Sequence, residues 1–219
     1  MTEGNIVRKV FISTVPMQQT RSVKNRSRDF ELGDKEYKAP ISYLLDANVR
    51  PGDDILILTA AGTREWPQKN YQEWKNEFEE ILKTRQVKAR FEEITEPDFD
   101  RDNFNSEQDN LDSLTFSQFF KDVADQIQDG DSIYADVTYG MKCYTIAMMI
   151  ALQYVAKACK NTDVKAVIYA QYFKGEQGKT PDCADIIDVT SLLYLSSMLA
   201  NVEPGQKENM DSFLKLVLE

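Results

Sequence analysis

DVTYGMK, residues Asp136 to Lys142, decides the fold of this chain, because it joins a segment with strand character to a long apolar segment with helical character. We predict the strand over Ser132 to Val137 and the helix over Met141 to Lys160. Ligands of open α/β sheets bind at the carboxyl end of a strand, where the next helix begins. A helix start leaves backbone N–H groups unpaired and carries the positive end of the helix dipole. With the Lys142 ammonium beside it, this stretch predicts an anion site.

Segments with strand and helix character alternate on both sides of this stretch. Short runs rich in β-branched and aromatic residues are the further predicted strands: Arg8 to Val15, Asp54 to Thr59, Val87 to Ile94, Val164 to Phe173 and Asp185 to Val189. Apolar residues at helical spacing mark the further predicted helices: Glu36 to Ala47, Asn70 to Arg85, Leu114 to Ile127 and Ser191 to Val202. The polar residues after the first strand, and Thr95 to Asp112, are predicted loops. The alternation predicts an α/β fold, a Rossmann-like three-layer α/β/α domain with a mainly parallel sheet.

The domain organisation follows from length and from a change of character near the C-terminus. A chain of 219 residues with 42 % hydrophobic residues suits one domain with a full core, which we predict over residues 1–202. Residues 203–219 contain a Pro-Gly pair followed by an amphipathic stretch, and we predict a linker and the start of a C-terminal helix there. Two interpretations of this tail stay open: a chain cut from a longer protein with an effector, or a helix that docks elsewhere.

Charge and composition argue against several classes of function. The formal net charge of −10 argues against the binding of long nucleic acid, which a basic field attracts. The chain has no histidine and three cysteines without a C-x-x-C pair, which predicts neither a zinc site nor a disulfide framework. The longest apolar run, Ile146 to Leu152, is far too short to span a bilayer, so we predict a soluble cytoplasmic protein with no membrane partner.

Nucleotide-binding and catalytic motifs that are common in α/β proteins are missing from the sequence. G-x-G-x-x-G is absent after every predicted strand, and so is G-x-x-x-x-G-K-[ST], which argues against nicotinamide enzymes and P-loop nucleotidases. A Ser-His-Asp triad is impossible without histidine. The carboxylates show no spacing typical of a metal pair, so we predict neither a metal nor a cofactor.

Small polar residues follow three of the predicted strands and mark a candidate site. They are Ser13 with Thr14, the run from Thr59 to Thr63, and Thr138 to Gly140. Each group alone is typical of an ordinary turn, but parallel strands bring their carboxyl ends to one edge of the sheet. Beside Lys142, this convergence predicts a ligand that carries phosphate.

A cluster of cations stands out against the acidic background: Arg21, Lys24, Arg26 and Arg28. Two interpretations are open. Such a run is commonly a solvated loop. It could also be a flexible basic flap that closes over a small polyanion.

The sequence resembles the CARF family, the Rossmann-like sensor domains of type III CRISPR systems. The resemblance rests on KVFISTVP at Lys9 to Pro16, LTAAGT at Leu58 to Thr63, DVTYGMK, VIYAQYF at Val167 to Phe173 and the segment Asp188 to Thr190. Its most specific part is D-[IV]-T-x-G-x-[KR] at the start of an apolar helix. Many relatives have a histidine and an arginine where this chain has Tyr139 and Lys142.

The resemblance implies a homodimer that holds one cyclic oligoadenylate, cyclic tetra- or hexa-adenylate, across its two-fold axis. Lys142 and the helix start would meet phosphates, while Thr14 and Thr138 would bond ribose or base edges. Asp136 would brace the turn rather than touch the ligand, because carboxylate and phosphate repel each other. The residues of the ligand-binding site that the resemblance implies, with Asp136 among them as the brace of the turn, are Ser13, Thr14, Val15, Pro16, Arg26, Thr59, Ala60, Gly62, Asp136, Thr138, Tyr139, Gly140, Met141 and Lys142.

Two functions from different classes are compatible with these residues, and a different nucleotide ligand is a third possibility. The favoured one is a sensor domain that binds the cyclic ligand and regulates an attached effector. The alternative is a metal-independent ring nuclease, in which a ribose 2′-OH attacks its own phosphate. Its catalytic residues would be Lys142, Ser13 and Thr14. Tyr139 or Trp66 could stack on adenine, and for Trp66 a second interpretation, packing near a helix start, is equally open.

Overall fold

The computed structural model describes residues 7–19, 23–33, 35–96, 113–175, 182–203 and 205–218, which form one seven-stranded sheet with helices on both faces. The strands are β1 (Arg8–Thr14), β2 (Lys24–Arg26), β3 (Asp54–Gly62), β4 (Ala89–Glu96), β5 (Ser132–Asp136), β6 (Asp163–Phe173) and β7 (Cys183–Asp188). Their order across the sheet is β2-β7-β6-β5-β1-β3-β4. Within the described residues, β6 and β7 are the one antiparallel pair of neighbours. The predicted mainly parallel α/β fold is therefore confirmed.

The helices form the two outer layers. They are α1 (Ile41–Asn48), α2 (Glu65–Arg85), α3 (Ser113–Ala124), α4 (Lys142–Ala158), α5 (Thr190–Leu199) and α6 (Lys207–Leu218). Trp74 and its neighbours in α1 and α2 pack against one face of the sheet. Tyr144 and its neighbours in α3, α4 and α5 pack against the other face. None of the helices in the described part of the chain has the length and apolar character that crossing a bilayer requires.

The central strands β1, β3 and β5 are apolar in their middle because both of their faces are covered there. In β3, Leu56 and Leu58 belong to the core under α4, whereas Ile55 and Ile57 belong to the core under α2. The register pairs Ser13 of β1 with Asp136 of β5. It also pairs Thr14 with Ala60 of β3. The parallel register thus brings the ends of β1 and β5 together at one edge, beside the last third of β3.

The structure differs from the prediction at several elements. α2 begins at Glu65, five residues before its predicted start, and α3 and α5 end at Ala124 and Leu199, each three residues before its predicted end. β3 continues to Gly62, three residues beyond its predicted end, so the small residues after Thr59 complete a strand instead of forming a turn. The predicted helix from Glu36 begins only at Ile41, after Pro40. β7 begins at Cys183 and runs antiparallel to β6. Residues 95 and 96 complete β4, and the rest of the predicted loop to Asp112 lies outside the described residues.

The polar segment after β1 contains a strand that the sequence pattern does not reveal. Lys24, Asn25 and Arg26 form β2, which pairs in parallel with β7 at the edge of the sheet. The prediction of a continuous loop was wrong at these three residues. Their charged and amide side chains have low strand propensity, and the backbone bonds to β7 outweigh that propensity at an edge.

Candidate functional site

Two side chains of the DVTYGMK stretch, Asp136 and Thr138, stabilise the turn between β5 and α4 by hydrogen bonds. Asp136 Oδ1 accepts a hydrogen bond from the Thr138 backbone N–H at 2.9 Å. Thr138 Oγ1 in turn accepts from the backbone N–H of Ala170 in β6 at 2.8 Å. Asp136 is buried, with 1 % of its surface exposed, so the structure gives it the bracing position that the sequence predicted. The Thr138 hydroxyl also ties the turn to β6, although it lies on the wall of the cleft described below.

Gly140 makes the turn possible because its backbone has a φ of +89°, a conformation that residues with a Cβ rarely adopt. A Cβ at this position would also lie 3.1 Å from Thr14 Oγ1 and 3.3 Å from Glu96 Oε1. The Thr14 hydroxyl donates a hydrogen bond to the Tyr139 carbonyl. The ends of β1 and β4 therefore press directly against the turn, and Glu96 is a buried acid of this region that the sequence analysis missed.

The N-terminus of α4 leaves its donors available. Met141 precedes the helix with φ −70° and ψ 145°, makes no side-chain cap, and is followed by no acidic residue in the first turn. The Met141 carbonyl accepts from the N–H groups of Tyr144 and Thr145 at 2.9 and 3.1 Å. Within the described part of the chain, the N–H groups of Lys142 and Cys143 have no acceptor, and the exposed Lys142 ammonium has no ion pair. Donors, helix dipole and cation coincide here, as the sequence predicted.

Asp136 lies just before the start of α4, and the pKa of its carboxyl group is raised. Burial raises the pKa of its carboxyl from the ordinary 3.8 to about 6, and the bonds from Thr138 and the Ile41 amide oppose that rise only in part. Its second oxygen, Oδ2, is buried without a hydrogen-bond partner in the described structure. Ionisation of the Asp136 carboxyl group is therefore costly. Its hydrogen bond from the Thr138 N–H indicates a structural role in the turn.

A cleft of about 610 Å³ opens beside the turn. Four predicted site residues line it: Pro16, Thr138, Tyr139 and Gly140. Tyr172 and Phe173 at the end of β6 also line the cleft, and the sequence analysis did not assign them to the site. The only signal for them was a pair of aromatic residues at the carboxyl end of a predicted strand. A cleft of this volume is within the range typical of small-molecule sites.

Tyr139 lines the cleft and is held in place by contacts with two other aromatic side chains. Its ring lies 5.7 Å from the ring of Trp74, which is fully buried. Its hydroxyl contacts the hydroxyl of Tyr172. Burial raises the pKa of both phenols, that of Tyr172 to about 12, so both are neutral at physiological pH. Tyr139 is thus an uncharged aromatic part of the cleft wall.

Several predicted ligand residues are buried and do not line the cleft. Ser13, Val15, Thr59 and Ala60 are each at most 2 % exposed. The Val15 N–H donates to the Ala60 carbonyl at 2.9 Å, which extends the β1–β3 pairing past the end of β1. Gly62 is buried and its carbonyl accepts from Gln68 at 2.9 Å. Direct contacts of these five residues with a ligand stay a prediction.

The segment after β1 is held over the edge of the sheet by a side chain that the sequence analysis also missed. Asn70 of α2 is buried, and its side-chain amide donates to the carbonyls of Pro16 and Gln18, each at 2.8 Å. This pair of bonds fixes the backbone that forms one wall of the cleft. Trp66, one turn earlier in α2, is 41 % exposed and has the Lys69 ammonium 4.9 Å from its ring centroid.

Arg26 of the basic cluster does not line the cleft but contacts Phe173, which does. Arg26 pairs with Asp185 across the β2–β7 edge, and its guanidinium lies 5.9 Å from the ring centroid of Phe173. Lys24 is in β2 and Arg28 lies two residues beyond that strand, whereas Arg21 lies outside the described residues. In the part of the chain that is described, no group of three or more cysteine, aspartate and glutamate side chains could hold a metal ion.

Comparison with known proteins gives one informative match. The family described as "CRISPR system endoribonuclease Csx1, CARF domain" matches residues 19–172, which is more than half of the chain. No curated protein matches. A crystal structure of a putative phosphofructokinase from Staphylococcus aureus is similar at a TM-score of 0.33 and 12 % identity, over 69 % of this chain and 51 % of that one. The chain thus spans about half the length of that structure, and a likeness at this level carries no argument.

Proposed function

The chain belongs to the family of CARF domains of CRISPR system endoribonuclease Csx1, and from this premise we propose that it is a sensor domain for a cyclic oligoadenylate. The resemblance drawn from DVTYGMK is thereby confirmed. The proposal goes further than family membership, because it assigns a ligand, its stoichiometry and the residues that bind it.

The observation that carries the proposal is the uncapped start of α4 beside a cleft of nucleotide size. Lys142, the free amides of the first turn and the absence of an acid there favour a phosphate group. The cleft next to Gly140 has room for a nucleoside attached to that phosphate. A ligand with several phosphates and several bases in a small ring fits both features.

We propose a homodimer because α4 presents an uncovered apolar stripe that starts at the anion site. Ile146, Ile150 and Tyr154 follow Lys142 at successive intervals of four residues and are 59, 51 and 53 % exposed. Contiguous apolar side chains at this exposure are typical of an interface. A two-fold contact along the stripe would place two copies of Lys142 near one shared pocket, which suits a ring with rotational symmetry.

The geometry favours the sensor over the ring nuclease. In-line attack would need a residue that positions the ribose 2′-OH, and the candidates were Ser13 and Thr14. Ser13 is buried in β1, and the Thr14 hydroxyl is already bonded to the Tyr139 carbonyl. Both residues therefore support the shape of the turn. Binding requires only the groups that are accessible, namely Lys142 and the start of α4.

Calorimetry with cyclic tri-, tetra- and hexa-adenylate, followed by chromatography of the same samples, tests the proposal. We expect one ring bound per two chains and the intact ring recovered. Recovery of linear adenylates would favour the ring nuclease instead. If none of the three rings binds, both functions are wrong. A cyclic oligouridylate serves as the control for base-independent attraction of phosphate.

The proposed setting is a cytoplasmic defence response in which ligand binding alters an attached effector. The three cysteines are free thiols, which fits a reducing compartment. The acidic net charge of −10 makes long nucleic acid an unsuitable ligand for this domain. The predicted division into a domain at residues 1–202 and a tail at residues 203–219 stays a prediction.

A further inference from the structure

β6 ends in two aromatic residues, Tyr172 and Phe173, to which neither the sequence analysis nor the proposed phosphate contacts assign a role. Tyr172 is 36 % exposed and Phe173 is 44 % exposed, and both line the cleft of about 610 Å³. Large rings that line a cleft and remain open to solvent commonly mark a ligand surface. These rings lie on the strand next to β5, so they share a wall with the turn that carries Gly140.

The Tyr172 ring is the outermost member of a row of three aromatic side chains. Trp74 is fully buried, Tyr139 lies 5.7 Å from it, and the Tyr172 ring lies 5.8 Å from Tyr139 at an interplanar angle of 40°. The contact between the two tyrosine hydroxyls fixes the edge of the Tyr172 ring. The row is anchored in the core at one end and presents an oriented ring to the cleft at the other. An oriented ring loses little conformational entropy when a flat ligand stacks on it.

The lining of the cleft also includes polar groups suited to the edge of a purine. Gln18 and Gln19 line the cleft and are exposed, and the Gln18 carbonyl is held by Asn70. A carboxamide presents one donor and one acceptor side by side, which matches the N6 and N7 atoms of adenine. A flat base in the cleft could therefore stack on the Tyr172 ring while its edge meets the side-chain amide of Gln18 or Gln19.

We propose that Tyr172, flanked by Tyr139 and Phe173, is the stacking subsite for an adenine base of the ligand. This inference rests on the proposed function and deepens it, because it assigns the recognition of the base to the end of β6. The phosphate is left to Lys142 and the start of α4. The two subsites share the turn at Gly140 and are separable by mutation.

The test compares three variants with the unaltered protein: Tyr172→Ala, Tyr172→Phe and Tyr169→Ala. Tyr169 is the matched control, because it lies on the same strand with the same 36 % exposure and does not line the cleft. The probes are the cyclic oligoadenylate that binds most tightly, AMP, and ribose 5-phosphate, all measured by calorimetry or ligand-observed NMR. Thermal unfolding of each variant checks that the fold is retained.

We expect Tyr172→Ala to weaken binding of the cyclic ligand and of AMP by about 5- to 150-fold, the range for loss of one base–aromatic stack. Tyr172→Phe keeps the ring and should retain most of the affinity, and Tyr169→Ala should equal the unaltered protein. Ribose 5-phosphate has no base, so its binding should not change in Tyr172→Ala. Should Tyr172→Ala itself unfold, an affinity loss on Phe173→Ala for AMP, without one for ribose 5-phosphate, would support the subsite.

The outcomes separate this inference from the proposed function. If the cyclic ligand binds the unaltered protein and a folded Tyr172→Ala binds it equally well, the subsite is wrong and the sensor stands. If AMP binds in a Tyr172-dependent manner and no ring binds, the subsite stands and the sensor is wrong. Absence of binding for both AMP and every ring overturns both. An equal loss for AMP and ribose 5-phosphate would also overturn the subsite, since the effect would then be independent of the base.

Discussion

Lys142 differs from the other lysine of α4, Lys157, in its position on the helix. It opens the helix, whereas Lys157 lies in the last turn at the other end. The ammonium adds to the dipole field at the first turn, where an anion gains most. Its side chain forms no ion pair within the described residues, so no competing carboxylate has to be displaced before a phosphate binds.

Replacement of Lys142 by alanine should weaken binding of the cyclic oligoadenylate by about 1.5–3 kcal/mol, the value of one hydrogen bond to a charged group. The residue is exposed, so the free energy of unfolding should change little. Calorimetry with the Lys142→Ala and Lys157→Ala variants checks this, since both lose one charge from the same helix. Undiminished affinity in Lys142→Ala would exclude it as a phosphate contact.

Asp136 predicts a pH dependence of stability whose sign follows from burial. Its pKa of about 6 in the folded protein is above the ordinary 3.8, so the folded state retains the proton to higher pH than the unfolded chain. Its contribution to stability is therefore greatest below pH 4 and is lost as pH rises through about 6. The loss amounts to up to about 3 kcal/mol, because each pKa unit is worth about 1.36 kcal/mol.

Urea unfolding of the unaltered protein and of Asp136→Asn between pH 4 and pH 7.5 measures this contribution. The asparagine can still accept the bond from the Thr138 N–H but does not titrate. The stability of the unaltered protein relative to the variant should fall between these limits. A constant difference across the range would mean that the carboxyl is not desolvated as its burial implies.

Among the secondary-structure elements, β2 shows how a basic cluster can be both structural and close to the ligand. The Arg26 guanidinium pairs with Asp185 of β7 and faces the ring of Phe173 at the rim of the cleft. The ion pair lies at the surface and neutralises much of the field that Arg26 would otherwise extend over a ligand. The element therefore offers a weaker attraction than the start of α4.

Two single changes at this strand should alter ligand affinity in opposite directions. Arg26→Gln removes the cation and should weaken binding a few-fold at low salt, whereas Asp185→Asn releases the cation from its partner and should strengthen it. Both effects should vanish near 1 M salt, where the screening length is about 3 Å. Titrations at low and high salt provide the measurement. If the unaltered protein and the two variants bind with equal affinity at low salt, Arg26 contributes only to the pairing of β2 with β7.

The elements that sequence reasoning predicted well are those with a strong periodic pattern. β1, β5 and α4 were found within two residues at each end because long apolar runs dominate their local energetics. β2 was missed because three polar residues carry no such pattern, and their pairing with β7 is set by residues about 160 positions away. The antiparallel direction of β7 was missed for the same reason, since direction depends on tertiary pairing.

The candidate site was predictable in part. DVTYGMK marked the turn and the helix start, since those are properties of contiguous residues. Tyr172 and Asn70 come to the cleft only through the order of the strands and the packing of α2, which no spacing in the sequence encodes. Conversely, Thr59 and Ala60 were expected at a strand end, and the longer β3 places them inside the sheet.

At the level of the whole molecule, the apolar stripe of α4 predicts assembly. Ile146→Lys combined with Ile150→Lys should convert the proposed dimer into monomers and reduce ligand affinity, because each subunit would then supply only half of the pocket. Light scattering after size exclusion, together with calorimetry, measures both effects. Val7→Lys is a suitable control. Val7 is 44 % exposed and directly precedes β1, at the amino ends of the strands and not at the carboxyl ends where α4 begins.

The doubly substituted chain should stay folded, because the side chains at 146 and 150 are more than half exposed already. A monomeric unaltered protein would reject the shared pocket. A dimer that survives both lysines would move the interface away from α4, whatever the ligand affinity of the variant.

The two outermost strands of the described sheet have a consequence for the behaviour of the protein at high concentration. β2 is three residues long and carries Lys24 and Arg26, while β4 carries Arg90, Glu92 and Glu93. Short or heavily charged borders resist the addition of further strands from other copies. A sheet with such borders therefore resists growth, strand by strand, into fibrous aggregates when the protein is concentrated.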